Sequence, residues 1–369
     1  MTDTVATPMA YYPQLEVSGS ARAMGEQIGE SLREEIRGFD AVALSRVNKT
    51  VATSRPSALA IAADCIPRVQ AYAPHMIEEL EGMATAAGIS LERLMLLQIR
   101  NQLQADENRA ESGHVADSGC TAFAIDSSVH AVGHGVVGQN WDNDPALDPY
   151  TVVLTRRPKN APGFMTITQA GLISYIGVSE AGIGVCMNTL PAPARRHGVP
   201  HYFTVRGIFE SRNLDDCVEA VRRAERAIPA NIILATPQGP ADLEITVDDV
   251  HILRDDDGDG VVTHTNHCIH PDLASINDRF DELIESQPRK CRIDELLRAL
   301  PRPIDNAQLE DVLRDHDNHP HSICRHANDH PQTGYWTSVF SVVIDADAAL
   351  MRISRGNPCQ QLYENYSFN

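Results

Sequence analysis

The residue best placed for covalent chemistry in this chain is Cys120, within the stretch DSGCTAF at 117–123. To its left, LQADENRAESGHVADSG (103–119) is polar and short of apolar residues, as an exposed loop would be. To its right, Thr121, Phe123 and Ile125 alternate with Cys120, Ala122 and Ala124, which predicts a strand that begins at the cysteine. A thiol needs a base, and a free α-amine on the same residue is one. The amine titrates at about 7.7–8.0 and the thiol at about 8.5, so a proton passes between them easily near neutrality. Cys120 would gain that amine only by cleavage of the Gly119–Cys120 bond. The thiol could attack the Gly119 carbonyl, forming a thioester that water resolves. Glycine suits such a bond because it tolerates unusual backbone geometry.

Such a nucleophile needs a group to orient the amine, a donor for the oxyanion and a fixed positive charge. Candidates are Asp142 in GQNWD (138–142), Asn266 in THTNH (263–267) and Arg325 in SICRH (322–326). Taken singly, each has a plainer reading. A cysteine at a strand start is commonly a packing residue. Asp142 could cap a hairpin turn, Asn266 could be a turn residue, and Arg325 could form a surface ion pair worth about 0–1 kcal/mol. Trp141 could be core or a substrate platform.

The elements that must position these residues fall into three stretches. Up to about residue 103 the pattern is helical: Met24, Ile28, Leu32 and Ile36 recur every four residues behind a Ser20 cap. A second helix stops at Gly88 and a third starts after Ser90. From Cys120 to about Asn266 the period is mostly two, interrupted by one helix capped by Asn213. Helices return after Pro271 (LASINDRFDELIES, CRIDELLRAL, AQLEDVLRDH), and a strand pair turning near Asp345 to Ala348 closes the chain. Helices flanking many antiparallel strands predict an α+β layered sandwich.

These motifs, in this order, resemble the acyl-coenzyme A:6-aminopenicillanate acyltransferase (isopenicillin N acyltransferase-like) family of self-processing N-terminal-nucleophile (Ntn) cysteine hydrolases. The matching stretches are GCT at 119–121, GQNWD, GLISYIGVSEAGIGVCMNTL at 171–190, HTNH at 264–267 and ICRH at 323–326, with MGEQIGE (24–30) and LEGMATAAGISLERLMLLQIR (80–100) upstream. The resemblance implies a four-layer αββα sandwich with a helical N-terminal segment. It implies Cys120 as nucleophile, Gly119–Cys120 as the autocleavage bond and Asp142 as the acid that positions the new N-terminus. It further implies Asn266 as oxyanion donor, Arg325 as the arginine near the nucleophile, and Trp141, Tyr175 and Asn188 near the substrate pocket. Where a LNARTE-like stretch is expected, the chain has LQIRNQL (97–103), so the substrate-facing helix end differs.

The expected enzyme is one integrated domain that matures into fragments 1–119 and 120–369, which stay associated. It would cleave an N-acyl amide of a small molecule or peptide through an acyl-enzyme on Cys120. The same acyl-enzyme passed to an amine would make a coenzyme A-dependent N-acyltransferase. The opposing reading is a non-catalytic binding protein with an inert Cys120.

The 369 residues carry a net charge of −19 and are 43% hydrophobic, which argues for a globular chain and against nucleic acid or anionic membranes as partners. No apolar run approaches a membrane span, and MTDTVATPMAYYPQ has neither a basic start nor an apolar core, so a cytoplasmic location is expected. Eight scattered cysteines without CxxC predict reduced thiols, and a homo-oligomer is left open. No cofactor or metal is expected. RDDDGDG (254–260) starts like a calcium loop, but position 12 would be Asn266 rather than glutamate, and VHILR and VVTHT around it suggest a hairpin. The histidines of HPHSICRH (319–326) and HTNHCIH (264–270) lack the usual zinc-ligand pairs.

Overall fold

The computed structural model describes residues 11–104, 119–255, 257–280, 284–331 and 333–368. Among these, the strands form two sheets stacked face to face. The first runs β1-β4-β5-β6-β7-β8-β9-β10, and the second β11-β2-β3-β12-β13-β14. The first comprises β1 (Gln14–Gly19), β4 (Thr151–Pro158), β5 (Phe164–Gln169), β6 (Ile176–Ser179), β7 (Ile183–Asn188), β8 (Ala230–Thr236), β9 (Gly239–Ile245) and β10 (Val250–Leu253). The second comprises β2 (Gly119–Ile125), β3 (Val136–Asn143), β11 (Val261–His264), β12 (Thr337–Asp345), β13 (Leu350–Arg355) and β14 (Tyr363–Ser367).

Helices from residues 21 to 104 and 201 to 222 cover the first sheet, and the helices Ser286–Ala299 and Asn306–Leu313 cover the second. The result is the four-layer αββα sandwich that the family resemblance implies. The alternation read around Cys120 explains how one strand serves two layers. Cys120, Ala122 and Ala124 join the core between the sheets. Phe123 and Ile125 join a second core with Ile293, Leu297, Leu309 and Leu313 of the covering helices. Both faces of β2 are therefore buried.

The helix caps follow the sequence. Ser20, Ser90 and Asn213 each accept a backbone N–H at a helix start, and Gly88 ends its helix at φ 70°, a left-handed conformation that glycine adopts without strain. The N-terminal part is less purely helical than expected. β1 pairs in parallel with β4, so this segment is built into the first sheet. A second helix in the strand-rich stretch, His201–Phe209, is buried on every side and so lacks the polar face that periodicity detects.

Two further expectations are corrected. VHILR and VVTHT do not pair: β10 lies beside β9 in the first sheet and β11 beside β2 in the second. Between them, the Asp255 carboxylate accepts the backbone N–H groups of Gly258, Asp259 and Gly260, and the segment crosses from one sheet to the other. Among its described residues the stretch 273–285 holds a short 3-10 turn, Ala274–Asp278, in place of the expected helix, and the next helix starts at Ser286 rather than Cys291. Pro288 marks no break there, because proline is tolerated in a helix's first turn, where its missing N–H has no partner to lose.

Candidate active site

Strands β2 and β3 bring the candidate residues together. In their antiparallel register Gly119 faces Asp142 and Cys120 faces Trp141. Directly paired residues share a face of a sheet, so the Cys120 side chain points with Trp141 into the space between the sheets. Asp142 points the other way, toward the helical cover. Most of the polar loop before β2 lies at 105–118, outside the described residues.

The backbone N–H of Cys120 donates to Asn266 Oδ1 at 2.8 Å, and Asn266 Nδ2 donates to the Thr189 carbonyl at 2.9 Å. Arg289 Nη2 also donates to Asn266 Oδ1, at 2.9 Å. A guanidinium only donates, so this contact fixes which end of the amide faces the cysteine. Asn266 Oδ1 thus accepts the backbone N–H of Cys120, and its own N–H2 is occupied by the Thr189 carbonyl. Asn266 is set in place by Ser286, whose hydroxyl accepts the Asn266 N–H at 2.6 Å.

Arg289 is a candidate site residue that sequence reasoning missed. It is fully buried, donates through Nη1 to the Cys120 carbonyl and to Thr121 Oγ1 (2.8 Å), and reaches the Ile284 carbonyl through Nε at 3.3 Å. It stands in the helical turn before Cys291, beyond the expected helix start. In a string such as PRKCR a buried arginine carries no mark that separates it from a surface one.

Asp142 Oδ1 accepts from the Ser338 hydroxyl at 2.7 Å, and that hydroxyl accepts the backbone N–H of Arg325 at 2.9 Å. Ser338 pairs directly with Asp142 across β3 and β12, and it too escaped the sequence reading. Arg325 is 2% exposed; its Nη2 lies 3.5 Å from the Thr333 carbonyl, while Nε and Nη1 have no hydrogen-bond partner. Asp142 Oδ2 is unpartnered as well. Arg325 thus faces Asp142 as a charge rather than through a direct bond.

Burial lifts the Asp142 carboxyl from 3.8 to about 6, against the opposing pull of Arg289, the Ser338 bond and Arg325. Burial and the nearby Asp142 charge push the Cys120 thiol up to about 12. With Cys120 only 1% exposed, the thiol in this state is protonated and shut away.

Around the thiol, Trp141 packs edge-on to Tyr175 with ring centroids 5.9 Å apart, and Tyr175 packs edge-on to Tyr202 at 5.4 Å. Burial, with Tyr202 and Cys120 close by, holds the Tyr175 hydroxyl well above its usual range. Asn188 lies on β7 across the inter-sheet space. It accepts from Gln139 Nε2 at 3.3 Å and donates to Asn231 Oδ1 at 2.8 Å, which makes it a link in a buried polar chain. The structure therefore gathers Gly119, Cys120, Asp142, Asn266 and Arg325 at the head of β2, and places Trp141 and Tyr175 on the thiol's side of the sheet.

The site thus sets a buried cysteine at a strand head beside an asparagine, an acid and two arginines, within two stacked sheets. The profile of the acyl-coenzyme A:6-aminopenicillanic acid acyl-transferase family matches residues 131–360, spanning Asp142, Asn188, Asn266 and Arg325 and beginning after Cys120. The chain belongs to that family, and with it to the enzymes that break and make C–N amide bonds. It is 27% identical over 289 residues to the acyl-coenzyme A:6-aminopenicillanic-acid-acyltransferase 40 kDa form of Emericella nidulans, covering 77% of this chain and 76% of that one. Among solved structures, a penicillin V acylase from Agrobacterium tumefaciens is similar with a TM-score of 0.45 at 14% identity, over 64% of this chain and 83% of that one. A mutant conjugated bile acid hydrolase from Clostridium perfringens is similar with a TM-score of 0.47 at 11% identity, over 68% and 97%.

Proposed function

We propose that the chain cuts itself between Gly119 and Cys120 and then acts as an N-terminal-cysteine amidohydrolase on an N-acylated small molecule or peptide. The observation that carries this reading is the Cys120 backbone N–H, already bonded to Asn266 at 2.8 Å with Asp142 opposite the adjoining Gly119. In the first step the Cys120 sulfur bonds to the Gly119 carbonyl carbon, the C–N bond breaks, and the thiol proton leaves with the nitrogen. Water then cleaves the thioester, leaving a Gly119 carboxylate and a free thiol beside a free amine.

In the mature enzyme the α-amine takes the thiol proton, the sulfur attacks the substrate carbonyl, and the proton passes to the leaving amine. Asp142 and Asn266 keep that amine in place. Backbone N–H groups and Asn266 Nδ2, released from the Thr189 carbonyl it now reaches at 2.9 Å, complete the oxyanion site. Loss of one such donor costs about 10²–10³ in rate. The two fragments stay together because β1 is a strand of the sheet formed largely by the second fragment, and because Glu79 of the first pairs with buried Arg156 and Arg206 of the second at 2.8 and 3.0 Å.

The likeness to the Emericella nidulans acyltransferase favours a second reading, in which an amine rather than water accepts the acyl group. Release of coenzyme A that depends on an added amine separates the two. The deciding experiment for the first is the intact mass of freshly purified protein beside Cys120→Ala. Two fragments meeting at Gly119/Cys120, absent from the variant, are expected. A single chain in both would overturn self-processing and favour a non-catalytic scaffold.

A further inference from the structure

Away from the nucleophile, the fold brings together three side chains that the sequence keeps apart. Cys324 and His326 flank Arg325, and Cys359 arrives from the segment between β13 and β14. Their ligand atoms form a small triangle. Cys324 Sγ lies 3.6 Å from Cys359 Sγ, Cys359 Sγ lies 3.2 Å from His326 Nε2, and Cys324 Sγ lies 3.7 Å from His326 Nε2.

That triangle has the dimensions of one face of a zinc tetrahedron. With Zn–S near 2.3 Å and Zn–N near 2.0–2.1 Å, tetrahedral angles put sulfur atoms about 3.8 Å apart and sulfur and nitrogen about 3.6 Å apart. A disulfide would require the two sulfurs at about 2.05 Å, and both cysteines are free thiols here. Two exposed histidines, His316 and His319, lie beside the cluster, with ring centroids 6.1 and 6.4 Å from that of His326. Two imidazoles on one ion have centroids about 5 Å apart, so either ring would move closer to His326 to serve as the fourth ligand.

The surroundings suit a bound thiolate. Asn357 Nδ2 approaches Cys324 Sγ at 3.6 Å and donates to the Arg325 carbonyl at 2.6 Å, the kind of neutral outer donor that steadies metal–sulfur ligation. Cys324 is buried, while His326 and Cys359 are half-buried, so the cluster opens outward along an entry path.

We propose that Cys324, His326 and Cys359, with His316 or His319 as fourth ligand, bind one divalent ion of the zinc class. Two thiolates and an imidazole select this class over calcium or magnesium, which take oxygen ligands. The ion ties the β13–β14 segment to the backbone on either side of Arg325 and so fixes the stretch that presents Arg325 to Asp142. Its role is structural support beside the active site rather than a part in the reaction.

The test uses the full chain, reduced, stripped with a chelator, desalted, and titrated with Zn²⁺ or Co²⁺. One zinc per chain should survive desalting, and Co²⁺ should give a thiolate charge-transfer band with the d–d bands of a tetrahedral site. Cys359→Ser should weaken binding by at least about 100-fold and remove the charge-transfer intensity of one sulfur, whereas substitution of exposed Cys291 by serine should leave both unchanged. The double change of His316 and His319 to alanine should alter the d–d bands. The wild-type cobalt spectrum decides the matter even where a variant folds poorly. No stoichiometric metal, no thiolate band, or a Cys324–Cys359 disulfide in metal-free protein purified without reductant would each overturn the proposal.

Discussion

Replacing Arg289 with methionine tests the reading of the site most directly. The guanidinium has no solvent exposure and donates to the Cys120 carbonyl, Thr121 Oγ1 and Asn266 Oδ1. Methionine fills much of the same space and donates nothing. The Thr121 hydroxyl can turn to another partner and Asn266 Oδ1 keeps the Cys120 N–H, but the Cys120 carbonyl and the Ile284 carbonyl, which Nε reaches at 3.3 Å, lose the guanidinium. Each acceptor stripped of its donor in a buried site costs about 1–3 kcal/mol, so the pair amounts to about 2–6 kcal/mol. Apolar packing of the methionine offsets part of this, leaving an expected loss near 3 kcal/mol. Asp142 also loses the strongest of its positive neighbours and is driven further toward its neutral form. The stability assay is chemical denaturation in the uncut Cys120→Ala background, followed by fluorescence of Trp141 and Trp336, both buried. In the otherwise wild-type chain, Arg289→Met should abolish fragment formation, and Arg289→Lys, which keeps the charge without the fork, should slow it. A stability loss under about 1 kcal/mol together with normal fragment formation would refute the assignment of Arg289 to the site.

Asp142 gives a signed pH prediction. With its carboxyl raised from 3.8 to about 6, the folded chain keeps a proton that the unfolded chain has released between those values. Stability should therefore fall by about 3 kcal/mol as pH rises through that window, and Asp142→Asn should remove this slope in denaturation curves collected across it. If the ionised carboxylate holds the new amine, self-cleavage should speed up as pH rises through about 6, and a wild-type rate flat across that range would contradict it. Iodoacetamide mapped by mass should label exposed Cys291 at once and Cys120 only after cleavage, because the intact chain keeps that thiol buried and pushed up to about 12; rapid labelling of Cys120 in the uncut chain would count against its burial. A Cβ on Gly119 would come within 2.8 Å of Ile284 Cδ1, a side-chain end that can yield, so Gly119→Ala should slow the appearance of fragments on a gel without stopping it, and Gly119→Val should stop it. Glu79→Ala leaves fully buried Arg156 without a carboxylate and Arg206 with Glu210 alone, and should cost about 3–5 kcal/mol by denaturation, whereas a loss within experimental scatter would mean that the triad contributes little.

What was legible before any coordinates were the local signals. The Ser20, Ser90 and Asn213 caps, the Gly88 stop and the two-residue alternation after Cys120 are set by neighbouring residues competing for backbone groups and by side chains taking opposite faces of a strand. The motif order was enough to suggest the family and, with it, Cys120, Asp142, Asn266 and Arg325. Other elements left no local trace. β1 forms because β4 offers it a partner 139 residues along the chain (Gln14 against Val153, 153 − 14 = 139), and the helix His201–Phe209 shows no exposed polar face because the fold buries all of it, Arg206 included.

Arg289 and Ser338 became site residues only through tertiary packing. A guanidinium in a helix's first turn and a hydroxyl in a strand are ordinary until a second element folds over them, and only the sheet register and the covering helix decide what they touch. The same holds for Cys359, which meets Cys324 and His326 through the return of the chain after β13. The sequence by itself determined most of the segments that become strands and helices and which side chains have reactive chemistry, because those depend on near neighbours. Tertiary structure alone decided which charges are buried, and hence the raised Asp142 carboxyl and the silenced thiol, because desolvation depends on everything packed around a group.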